Sequence, residues 1–141
     1  MAKNALAELK IPAESDFISC AKRVSVSLGS KLGFSLEELD ELAIAVAQAC
    51  DSAIEASREA WGGGASLKLS YAATDRGIEV DVEALEPRSP HALRRHEVRT
   101  QDEEVRRLAQ EMIRCFVDDF RSQVDYGSGR VRFRMAKYLI G

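Results

Sequence analysis

The feature that most limits what this chain can fold into is a helical stripe that starts and stops sharply. Ser35-Leu36-Glu37-Glu38 has the order of a capping box, with a hydroxyl at the cap and a carboxylate three residues on. Leu39, Leu42, Ala43, Val46, Cys50, Ala53 and Ser57 then recur at steps of three and four or close to it, which places them on one helical face. The run "WGGG", Trp61 to Gly64, ends the pattern. A helix of that length, apolar on one side, needs a layer to lie on. Its other side carries Gln48, Asp51, Ser52 and Glu55. That is either a solvated face or the wall of a ligand pocket. Ile44 sits on the same side, so a cover from the Ala84–Glu103 segment is one expectation.

The partner layer is written in a different period. Leu67, Leu69 and Tyr71 alternate with polar residues, "TDRG" (Thr74 to Gly77) has turn character, and Ile78, Val80 and Val82 alternate with Glu79, Asp81 and Glu83. That is a hairpin with one face buried. Near the end, "GSG" (Gly127 to Gly129) joins two further strands, with Val131, Phe133 and Met135 on one side and Arg130, Arg132 and Arg134 on the other. The acidic and basic rows are expected to pair across strands on the open face. "AELKIPA" (Ala7 to Ala13) reads as an edge strand, because Pro12 cannot donate to a ladder.

Two more helices complete the set. Phe17, Ala21, Val24, Leu28 and Leu32 form a stripe that Gly33 stops, with the serines of "KRVSVSLGSK" on its outer side. Val105, Leu108, Ala109, Met112, Ile113 and Phe116 form another. Between the first hairpin and this helix, residues 84–103 break every period and read as a lid-like loop. The order of elements predicts an α/β (α+β) two-layer sandwich in one domain, 1–141. A mixed, mostly antiparallel sheet would carry three main helices on one face.

Composition sets outer bounds. The 141 residues are 45% hydrophobic and 30% charged, with a net charge of -3, which argues for a folded domain and against general nucleic-acid binding. The start "MAKNALAELK" has no apolar core of signal-peptide length, and no run reaches membrane-spanning length, so a cytoplasmic protein is expected. Cys20, Cys50 and Cys115 are odd in number and widely spaced, and read as reduced, buried small hydrophobes. His91 and His96 have no metal-ligand partners near them in sequence.

From about Glu8 to Leu139 the layout resembles the RsbW-type family of anti-sigma factors and serine-protein kinases. That family has the ATPase fold of histidine kinases, gyrase and a heat-shock chaperone. "ELKIPAESDFISCAKRVSVSLGSKLGFSLEELDELAIAVAQAC" follows its strand, helix and second helix, and "FVDDFRSQVDYGSGRVRFRMAKYL" its closing helix and strands. The resemblance implies contacts with a sigma factor or an anti-anti-sigma (STAS-domain) protein, and a homodimer formed near the first strand and helix.

The nucleotide motifs that the resemblance implies are altered. The family's second helix carries a glutamate that polarises the attacking group, then an asparagine for magnesium four residues on, then often a histidine. Here those positions hold Gln48, Ser52 and Ala56, with Asp51 one residue off. The family's Asp-x-Gly-x-Gly, which reads adenine, aligns with Glu83, Leu85 and Pro87. The glycine-rich phosphate turn is replaced by "TQDEEVRRLAQ", and the threonine of the last strand by Val131 or Arg132. Two readings follow. One is a regulator that works by protein contact with no cofactor and no catalytic residue. The other is an ATP- and magnesium-dependent serine kinase in which Asp51 or Ser52 holds the metal, Glu83 reads adenine, and Arg94 and Arg95 of the basic run Arg88–Arg99 grip phosphates. Trp61 is a packing anchor or an interface residue in either.

Overall fold

A computed structural model of the chain describes residues 3–88, 103–125 and 129–140. The elements are β1 (Asn4–Pro12), a 3-10 turn (Ser15–Phe17), α1 (Ile18–Leu32), α2 (Leu36–Trp61), β2 (Ser66–Ala73) and β3 (Gly77–Leu85), followed by α3 (Glu103–Phe116), β4 (Asp119–Asp125) and β5 (Arg130–Tyr138).

The capping box forms as its residue order predicts. The Glu38 backbone N–H donates to Ser35 Oγ at 3.2 Å, and the Ser35 N–H donates to a Glu38 carboxylate oxygen at 2.8 Å. Every residue of the predicted α2 stripe is buried, from Leu39 to Ser57. Ala45, Ala49, Ile54, Ala56 and Trp61 join it, so small and large side chains alternate on the buried face.

The sheet order is β1-β2-β3-β5-β4. All four pairings among the described residues are antiparallel, so the expected mostly antiparallel sheet forms, without the parallel pair that a mixed sheet would have. The chain does cross over through α3, and β4 runs in the same direction as β3. The β4–β5 hairpin then folds back into the slot between them, which leaves no parallel neighbours. Leu67, Leu69, Tyr71, Ile78, Val80, Val82, Val131, Phe133 and Met135 are all buried beneath the helices. β1 is an edge strand, as Pro12 requires.

Three expectations are corrected in the helices. Ser25 lies inside the molecule, not on the outer side of α1. Its hydroxyl donates to Ala21 O at 2.8 Å and lies 3.3 Å from Tyr71 Oη, which donates to the same carbonyl at 3.0 Å. The buried line of α1 is Ala21, Ser25 and Gly29, because small side chains let α1 press on α2, and a Cβ at Gly29 would come within 2.7 Å of Leu39. Cys50 is buried, but Cys20 and Cys115 are exposed, each one or two positions off its helix's buried line. In α3 only Ile113 is buried, while Val105, Leu108 and Met112 are exposed. That helix packs on α2 and the start of β4 and barely reaches the sheet's centre.

Trp61 proves to be a packing anchor, 7% exposed in the core. Gly129 meets it at a positive φ of 72°, where a Cβ would stand 3.2 Å from the indole ring. Across the open face, Arg132 Nε bonds both carboxylate oxygens of Asp81 at 3.0 Å, and Arg134 reaches Asp81 at 3.2 Å, as the alternating charge rows predict.

Candidate functional site

Steps of three and four along α2 bring Gln48, Asp51, Ser52 and Glu55 onto one side, and this side lines a cavity of about 410 Å³. The facing wall is α3, with Val105, Arg106, Ala109 and Gln110. The sheet supplies the floor through Ser122, Val124 and Phe133, which alternation points toward the helices. Ile44 is not part of this cavity. It lies in a separate depression between α1 and α2, beside Lys22, Val26 and Asp40.

The two residues at the family's base and magnesium positions are turned toward each other. Gln48 Nε2 donates to Ser52 Oγ in a long hydrogen bond of 3.4 Å. Neither is charged, and an amide has no proton-accepting role near neutral pH. Asp51 is exposed at the rim. Glu55 lies one turn further on, and its carboxyl is held above the usual carboxylate range, first by burial, then by the charges of Asp51 and Glu59. Arg106 crosses from α3 to bond Glu59.

Among the described residues, the charged side chains lining the cavity are Asp51, Glu55 and Arg106, and Arg106 bonds Glu59. A triphosphate needs a surplus of N–H donors and cations, whereas α3 opens with Glu103 and Glu104. Among the described residues, no three His, Cys, Asp or Glu side chains converge as metal ligands.

Glu83 is not brought to the cavity. Strand alternation turns it to the open face of the sheet, where it stands opposite Arg132 in the β3–β5 register. The neighbour facing the helices is Ala84, 6% exposed, which offers no acceptor. Of the two threonine positions, Val131 is buried under the helices and Arg132 is on the open face. Arg94, Arg95, His91, His96 and Arg99 lie outside the described residues. Sequence reasoning missed Arg106 and Gln110. Their spacing of four on α3 is the signal that could have found them.

No family model matches the chain. Among curated proteins, the serine-protein kinase RsbW of Bacillus licheniformis is 27% identical over 144 aligned positions, covering 94% of this chain and 84% of that protein. RsbW of Halalkalibacterium halodurans is 26% identical over 86 residues, 55% of this chain, and that match spans about half of the relative's length, 51%. RsbW of Bacillus pumilus is 34% identical over 50 residues, 36% of this chain and 31% of that protein.

Proposed function

With similarity to RsbW serine-protein kinases as the premise, we propose that the chain is an anti-sigma-factor-like regulator acting by protein–protein binding in a partner-switching pathway. It sequesters a sigma factor or engages an anti-anti-sigma partner of the STAS type, and its ATP binding and kinase activity are weakened or lost. A homodimer and a cytoplasmic site of action go with this reading. No helix among the described residues is long and apolar enough to cross a membrane.

The observation that carries the proposal is the Gln48–Ser52 pair. Where the family places a base and a metal ligand, two neutral side chains bond each other, and the acidic residues nearby disfavour a triphosphate. Isothermal titration with ATP and ADP in the presence of magnesium tests it. The expected result is no saturable heat and no thermal shift at millimolar nucleotide. Micromolar binding, about -8 kcal/mol, overturns the lost-nucleotide part of the reading.

The size of the cavity keeps a second reading in view, that of a divergent serine-protein kinase. Its sign would be transfer of labelled phosphate to an anti-anti-sigma protein, raised by Gln48→Glu and abolished by Asp51→Ala. An unchanged zero in both variants removes it.

A further inference from the structure

The far end of the open sheet face carries a charge arrangement that the fold itself does not require. In the β4–β5 register Arg121 stands directly opposite Arg134, and Gln123 opposite Arg132. Like charges directly across a strand pair are unfavourable. The counter-charges on this face are Glu79, Asp81 and Glu83, the last opposite Arg132, and the first two are shared. Asp81 accepts from both Arg132 and Arg134. Glu79 accepts from Lys3 at 2.7 Å while also serving Arg134 as an ion pair at 3.4 Å. Arg134 Nε itself makes no hydrogen bond. Among the described residues Arg121 has only Asp119 as an ion-pair partner, at 3.9 Å, and its side chain is 80% exposed.

Together Arg121, Ser122, Gln123, Arg132 and Arg134 line a depression of about 320 Å³. It borders β4, the last strand of the sheet, which pairs only with β5 among the described residues. An edge strand offers a row of backbone donors and acceptors to an added strand. On a chain whose net charge is -3, a local cluster of guanidinium groups at such an edge selects for an anionic partner.

We propose that this end of the sheet docks an extended, acidic segment of a partner protein, laid along β4 with its carboxylates over Arg121 and Arg134. Main-chain pairing fixes the direction of the segment, and the two guanidinium groups, level with each other across β4 and β5, select a carboxylate at that position. The surface lies across the sheet from the α2–α3 cavity, so the proposal stands apart from any nucleotide chemistry there.

The probe is a short fluorescein-labelled peptide of alternating Glu and Thr, compared by anisotropy with the same peptide carrying Gln for Glu. Backbone amide shifts locate the site. Saturable binding of the Glu peptide alone, with shifts confined to β4 and β5, is expected. Arg121→Gln combined with Arg134→Gln should weaken it at least about tenfold, with circular dichroism confirming the fold. No saturable binding, or an affinity the double variant leaves unchanged, overturns the proposal. So does equal competition by inorganic phosphate or a single-stranded oligonucleotide, which would make this a general anion site. Concentration-dependent β4 shifts without peptide would assign the edge to a second copy of the chain and overturn it as well.

Discussion

At Asp81, burial and hydrogen bonding pull in opposite directions. Burial pushes the carboxyl up, but the bonds and charges of Arg132 and Arg134 outweigh it and hold the group below its ordinary value. A depressed carboxylate stabilises the fold above the unfolded value near 3.8 and loses that contribution as pH falls through the folded value. Asp81→Asn should therefore cost about 1–3 kcal/mol at pH 7. The deficit should shrink on the acid side of that window, as urea unfolding at the two pH values would show. Cys50 behaves oppositely. Burial, with help from the charge of Asp51, pushes its thiol from 9.0 to about 12. The unfolded thiol ionises first, so stability falls between those values, by about 1.4 kcal/mol per pH unit. Tyr71 is also raised, by burial most of all, and adds to the same alkaline loss. Cys50→Ala should flatten the alkaline limb of a stability–pH profile measured by denaturant unfolding. An unchanged slope would count against a buried, neutral thiol. Single residues are also where sequence reading slipped. Glu83 had two places in the sequence, the open face by alternation and the adenine contact by motif alignment, and the β3–β5 register has it on the open face.

Among the elements, α2 was the most legible, since its start, its stop and its buried face are all written in local chemistry. Ser35→Ala removes one half of the capping box and should cost about 1 kcal/mol in thermal or urea unfolding. The helix itself should remain, because its buried face holds it. A cost near zero would mean that packing alone sets the helix start. The first helix was harder to read. The apolar stripe finds Ala21 but then follows Val24, Leu28 and Leu32, which are half-buried, and passes over Ser25 and Gly29, which with Ala21 mark the close crossing. In α3 the periodicity correctly announced a helix but said nothing of what it would pack against. Val105 and Ala109 turn to the cavity instead of the core. The four-residue face of α2 was seen in the sequence. A ligand pocket was one of its two readings, but the other walls could not be named, because they arrive from α3, β4 and β5.

In the whole molecule, two antiparallel units, β1-β2-β3 and β4-β5, meet along a single seam between β3 and β5. That seam begins at Gly77, which pairs with Tyr138. A Cβ there would fall 2.1 Å from the Lys137 carbonyl oxygen, and backbone cannot yield as a side chain can. Gly77→Ala should cost about 1–3 kcal/mol and perturb amide shifts on both sides of the seam. Shifts confined to the Thr74–Gly77 turn would show that the two units are less dependent on each other.

The two faces of α2 answer to different judges. Alanines packed on the sheet are held in place by every strand beneath them, and a change there is felt by the whole domain. Gln48, Asp51, Ser52 and Glu55 line the space between the helices. Inheritance can rewrite that side one residue at a time while the outer contour stays as it was. A lineage can thus exchange one livelihood for another without passing through an unfolded ancestor, and a duplicated copy can keep its old acquaintances long after its chemistry has drifted.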